Sequence, residues 1–261
     1  MSEVRGSDRA RQITVTAAEI FCVLGTLYGV GVLGTRVEES SGGALAADAT
    51  RLAPAGPAFS IWSVIYAGLA IYTLWQWLPG QSTRTVHRRI GWLAAASMVL
   101  NASWLLVTQQ GWIWVSVGVI ATLALVLGLL LRRLTLLDGR VKIADRVIID
   151  GTFGLYLGWV AVATCANVTA ALVADGVEPG PVLSDLVAVA VLVVVAGLGF
   201  LFAQRLGGRL AVAAAMAWGL SWIAVARLGS EPESVITAGA AIAVAVLVLL
   251  AAVLQRGQQR A

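Results

Sequence analysis

Ser97, Asn101 and Trp104 are spaced i, i+4, i+7 within one apolar run, and Trp159, Ala163 and Asn167 are spaced i, i+4, i+8 within another. If each run is a helix, each set falls on one face. An indole offers a flat apolar ring with one N–H donor, and a carboxamide offers both a donor and an acceptor. The chemistry available is stacking and hydrogen bonding rather than proton transfer. Two uses fit it. An Asn in hydrocarbon either joins neighbouring helices, at about 0.6–2 kcal/mol per bond, or lines a polar pocket where a ligand supplies the partner. A third aromatic group lies in the stretch 54–77, PAGPAFSIWSVIYAGLAIYTLWQW, with Trp62, Tyr66, Tyr72, Trp75 and Trp77. Trp75, Trp77, Trp92, Trp112 and Trp114 fall near the ends of apolar runs, where amphipathic rings form an interfacial belt. Trp62 fits either belt or pocket, whereas Trp104, Trp159, Trp218 and Trp222 lie too deep for a belt.

Titratable groups are sparse in the same runs. General acid–base catalysis needs paired groups within reach of each other, and the middles of these runs offer none, so an enzyme is not the expected class. Glu19 is the one acid placed well inside a run, and its shallow depth predicts snorkelling to the nearer membrane face. His87 is the single histidine and sits in the basic stretch TRTVHRR, so neither a His-based metal site nor a His haem ligand is expected. Cys22 and Cys165 lie among apolar neighbours and read as small hydrophobes. Asp145 and Asp150 bracket the start of a run and are expected to pair with Arg146 between them.

The elements that must position these residues are membrane spans. The 261 residues are 59% hydrophobic and 12% charged, with a mean hydropathy of +0.87, against about 25% charged in soluble domains. Apolar runs of about 20 residues, as a bilayer crossing requires, cover roughly 13–34, 58–78, 90–108, 112–131, 150–173, 184–203, 210–227 and 235–254. The third and fourth are joined by a linker so short that they must form an antiparallel hairpin. With the N-terminus inside, fifteen of the 18 Lys and Arg residues fall on the cytoplasmic face, leaving Arg36, Arg51 and Arg227 opposite. The net charge of +4 is therefore a topology signal rather than a nucleic-acid footprint, and the basic 132–146 loop suits anionic lipid headgroups. The first span, with ALA at 44–46 beyond it, also resembles a signal peptide, but its length favours a retained anchor. GTLYG at 25–29 and GLYLG at 154–158 carry the GxxxG spacing of close helix packing.

Three stretches together resemble the tryptophan-rich sensory protein / translocator protein (TspO/MBR) family. Its second helix has the form F-x-x-W-x-x-L/I-Y after a Pro-rich loop, similar here to Phe59, Trp62, Ile65 and Tyr66 after Pro54 and Pro57. Its third carries L-N-x-x-W, similar to Leu100, Asn101 and Trp104. Its fifth carries W-x-x-x-A-x-x-x-N, similar to Trp159, Ala163 and Asn167. The resemblance covers roughly residues 13–173. It implies a five-helix bundle with a ligand pocket beneath the loop after helix one, lined by Phe59, Trp62, Tyr66, Asn101, Trp104, Trp159, Ala163 and Asn167. Family members bind porphyrins and other hydrophobic ligands, sterols among them in some relatives, and are linked to sensing, transport or photochemical breakdown of tetrapyrroles. This chain departs from the pattern in having no Trp in its first loop, separated prolines, and three further spans.

The expected fold class is all-α, a polytopic membrane helix bundle. Residues 1–12 form a cytoplasmic tail, 13–173 the five-helix core, and 174–261 a three-helix extension with a short tail, the extension bracing the bundle. The expected function is a membrane sensor or translocator for tetrapyrrole-like or other hydrophobic small molecules, with no required cofactor and a porphyrin-like compound as ligand. The partners are that ligand and membrane lipids, with a homodimer compatible, in a multi-pass bacterial plasma-membrane protein with both termini cytoplasmic. A small secondary transporter is the alternative, for which Glu19 is the only hint, and a purely structural bundle is a further one.

Overall fold

Interruptions by Gly, Pro and charge cut the chain into helices of membrane-crossing length. The computed structural model describes residues 4–137, 143–177 and 179–258. Among them, eight helices are long and apolar enough to span a bilayer: α1 (Gly6–Gly29), α2 (Ile61–Trp75, which with its 3-10 lead-in makes the span Gly56–Trp75), α3 (Thr85–Gln109), α4 (Ile113–Thr135), α5 (Ile143–Ala174), α6 (Pro181–Leu206), α7 (Leu210–Gly229) and α8 (Val235–Gln258). Each matches an expected span. The third-to-fourth hairpin turns at Gly111, whose φ of +73° suits glycine. Of the basic residues used to orient the chain, Arg140, Lys142 and Arg260 lie outside the described residues.

The first helix begins at Gly6 rather than at residue 13, so most of the expected N-terminal tail is helical. The reason is that its polar residues find partners in the bundle. Asp8 accepts from Arg11 Nη1 (2.8 Å) and Arg88 Nε (2.8 Å), Arg11 Nη2 donates to Ser82 O (2.7 Å), and Gln12 Nε2 donates to Gln76 O (2.6 Å). Asp145 and Asp150 likewise take their contact partners from other parts of the bundle, Asp150 while also feeling the charge of Arg146. Asp145 accepts from Arg84 on the α2–α3 linker (2.7 Å), and Asp150 pairs with Arg209 ahead of α7. Both acids flank or join a π-helical turn, Arg146–Gly151, within α5.

Packing of the first five helices follows the ring order α1, α2, α5, α4, α3, with α1 lying closest along α3. Small residues permit this. A Cβ on Gly25 would come within 2.9 Å of Ala102 Cβ across the α1–α3 contact, and one on Gly154 within 2.8 Å of Ala211 Cβ across the α5–α7 contact. Thus the first GxxxG motif closes the ring, and the second attaches the extension. Between apolar helices in lipid the gain comes from such close van der Waals approach and from interhelical hydrogen bonds. α7 packs on α5, and α8 packs on both α7 and α6. Outward-facing Val182, Leu186, Val193 and Leu254 are exposed, as lipid-facing side chains should be.

Candidate functional site

Helix α1 ends well before α2 begins, and the intervening loop folds back over the open end of the ring. Two 3-10 turns, Val37–Glu39 and Ser41–Gly43, start it, and Gly56–Ser60 leads into α2. Gln109 at the end of α3 fixes its beginning, accepting from Thr35 N (3.0 Å) and donating to Thr35 O (2.7 Å).

Beneath this loop lie two adjoining cavities that share Val37 and Phe59 as walls. One, of about 50 Å³, is bounded by Phe59, Trp104, Trp159, Ala163 and Asn167 together with loop residues Ala44, Leu45, Ala53 and Pro54. It has room for a few waters only. The other, of about 330 Å³, lies between the loop ends of α1 and α2 and is bounded by Thr26, Gly29, Phe59, Trp62, Ser63, Tyr66 and Leu105, with Arg36 and Glu38 among its lining. That volume falls within the range of small-molecule sites.

The rings that separate the cavities are mutually ordered. Trp62 stacks on Tyr66 (5.3 Å between centroids, 16° between planes), and the Trp159 edge meets both Trp62 (6.2 Å) and Phe59 (5.7 Å). Tyr156, absent from the sequence-based set, adds an edge contact to Trp62 (5.8 Å) and donates to Ser97 O (3.2 Å). The Trp159 side chain is 2% exposed, and its indole N–H has no acceptor among the described residues. Buried indole N–H groups usually have one.

The two Asn residues behave differently. Asn167 Oδ1 accepts from Trp104 Nε1 (2.9 Å) and its Nδ2 donates to Ser116 Oγ (3.0 Å), so it joins α3, α4 and α5 while also lining the smaller cavity. Asn101 is fully buried and lines neither cavity. Its Nδ2 donates to Tyr66 Oη (3.0 Å) and lies 3.5 Å from Cys22 Sγ, so it joins α1, α2 and α3 and holds the Tyr66 ring in the larger cavity's wall. Seven of the eight residues expected at the site therefore line one cavity or the other, and Asn101 supports one of them.

Glu19 does not snorkel. It is 6% exposed, and its Oε2 has no hydrogen-bond partner among the described residues.

The extension does more than brace the bundle, because it holds the loop over the cavities. Trp218 Nε1 donates to Ala58 O (2.9 Å), Ala55 N donates to Trp222 O (3.2 Å), and the two indoles meet edge-to-face at 5.6 Å. Arg227, fully buried, donates to Ala47 O (2.7 Å), Thr50 O (3.0 Å) and Pro232 O (3.0 Å). Arg51 pairs with Asp185 of α6 at 3.1 Å. The sequence signal for these anchors was the pair Trp218 and Trp222, one turn apart on an Ala-rich run, followed by a basic residue. The partners are mostly backbone carbonyls, which leave no mark in a sequence.

No curated protein and no solved structure matches the chain. A family model described as "TSPO-like protein" matches residues 13–253, spanning the five-helix ring and the extension alike, and the chain accordingly belongs to the TSPO-like family of integral, multi-pass membrane proteins.

Proposed function

We propose that this protein is a membrane sensor or translocator whose ligand is a flat, amphipathic, mainly apolar small molecule of the tetrapyrrole type, taken into the cavities beneath the first loop. The observation that carries this reading is the larger cavity itself. Stacked Trp62 and Tyr66 give it a planar aromatic wall, and Arg36 and Glu38 give it a charged margin. A flat ring system stacks on the first, while a carboxylate or amine meets the second. A macrocycle needs more room than either cavity provides, and Phe59, which walls both, is the side chain whose rotation would join them. The Trp159 N–H then becomes a donor for the ligand's polar edge. The start of α1 and the end of α8 lie on one face, and the distribution of basic residues supports reading that face as cytoplasmic, with the loop and its cavities facing outward. Titration of the purified protein with protoporphyrin IX tests the proposal through Trp emission. Saturable quenching supports it, and linear quenching equal to that of an unrelated membrane protein refutes it.

One observation favours a second reading, proton-linked transport. Glu19 is buried within α1, one turn from Cys22, which touches Asn101, and Asn101 in turn touches Tyr66 of the cavity wall. An ionisable group at such a site marks ion pathways in membrane proteins.

A further inference from the structure

The face on which α1 begins and α8 ends has a cavity of its own. It measures about 380 Å³ and is built from the end of α4, the π-helical turn of α5, the α6–α7 connection and the last turns of α8. Two consecutive glycines with positive φ, Gly207 (+74°) and Gly208 (+62°), reverse the chain there. A Cβ on Gly208 would lie 2.8 Å from Arg256 N, so the turn rests directly on the α8 backbone and places Arg209 and Arg256 on the same cavity. Three guanidinium groups, from Arg146, Arg209 and Arg256, face one carboxylate, Asp150.

Among the described residues only one of the three forms a contact ion pair, while Arg146 acts on Asp150 at longer range. Arg209 pairs with Asp150 and donates to Thr135 Oγ1 (3.2 Å), which fixes the wall. Its Nε is buried without a hydrogen-bond partner among the described residues. Arg146 and Arg256 form neither a hydrogen bond nor an ion pair among the described residues. Leu134, Leu206 and Leu210 supply an apolar side to the same space.

We infer that this cavity binds the headgroup of an anionic phospholipid, its phosphate between Arg146 and Arg256 and its acyl chains leaving along the leucines. Guanidinium groups suit phosphate because they donate two parallel hydrogen bonds. The cavity lies where five helices end, which is headgroup depth, and basic pockets between spans at that depth are suited to lipid phosphates. A free phosphate would use the arginines but gain nothing from the apolar side. The site is separate from the cavities beneath the first loop and stands whether or not those bind a ligand.

The test is a binding titration of the delipidated full-length protein with phosphatidylglycerol, phosphatidylcholine of the same chain length, and inorganic phosphate. The parent should prefer phosphatidylglycerol. The double variant Arg146→Gln/Arg256→Gln should lose about thirtyfold in affinity for it, since a basic side chain near an anionic headgroup contributes about fivefold. Neither arginine has a hydrogen bond or ion pair to abandon among the described residues, and Arg146 acts on Asp150 only at longer range, so the variant's melting temperature without lipid should stay close to the parent's. Arg89→Gln/Arg132→Gln removes the same charge from exposed positions on the same face and should bind as the parent does. An equal loss in this control would reduce the effect to general surface charge and overturn the site. Equal affinity for phosphatidylcholine, or saturation by millimolar phosphate with no benefit from the acyl chains, would also overturn it.

Discussion

Asn101 and Asn167 are the same residue type at the same kind of spacing, yet the structure gives them separate tasks. Asn101 is enclosed among α1, α2 and α3 and lines no cavity described above, so Asn101→Ala should cost stability, by about 0.6–1.7 kcal/mol. Its effect on ligand affinity should come only through a loosened Tyr66. Trp159 is the converse case. Its N–H has no partner to lose among the described residues, so Trp159→Phe should cost only the packing of the lost ring area, about 1–2 kcal/mol for the transfer and cavity terms of a large-to-small core change. Affinity should fall by up to about tenfold, the value of one hydrogen bond to the ligand. Thermal denaturation and ligand titration of both purified variants check the pair, and matching losses in both quantities would remove the distinction. Glu19 decides between sensing and proton-linked transport. Glu19→Gln keeps the size of the side chain and removes its charge, so under the sensor reading it leaves binding unchanged. Under the transport reading it abolishes uptake driven by a pH gradient in reconstituted vesicles.

At the scale of elements, the loop between α1 and α2 is the part whose structure the sequence reveals least. Its Pro and Gly content identifies a loop, but nothing in it shows that α6, α7 and the α7–α8 connection grip it. Arg227 carries the main grip through two carbonyl oxygens of the loop, Ala47 O and Thr50 O, and ties them to Pro232 O of the α7–α8 connection. Arg227→Ala leaves those acceptors without their charged donor, and each bond to a charged group contributes about 1.5–3 kcal/mol. The variant should therefore be less stable by several kcal/mol. Amide exchange should rise across residues 44–58 before it rises in α3, and any bound ligand should dissociate faster. Exchange that rises uniformly would show that Arg227 stabilises the bundle without acting on the loop in particular. The glycine motifs, in contrast, were legible, because close approach of two backbones requires a missing Cβ whatever the partner. Their partners were not legible, and the second motif proved to join α5 to the extension.

For the whole molecule, spans and their number follow from hydropathy because lipid imposes a fixed length on every crossing. What hydropathy misses is polar residues satisfied inside the bundle. Asp8, Arg11 and Gln12 read as a solvated tail and are instead buried in the first turns of α1. Orientation is checked by cysteines placed at exposed positions Asp48, Ser230 and Thr85, with Cys22 and Cys165 replaced. An impermeant thiol reagent should label the first two from outside intact cells and leave the third unlabelled, and the inverse pattern would reverse the topology. The central claim is that the larger cavity beneath the first loop holds the ligand. Ser63 lines that cavity and is exposed, so Ser63→Trp fills it without removing a packed side chain. The most direct measurement is the protoporphyrin IX dissociation constant of the parent and of this variant at matched folding. The account predicts saturable, micromolar binding by the parent, about 8 kcal/mol, weakened at least about tenfold in Ser63→Trp. Equal affinities in the two proteins would contradict it.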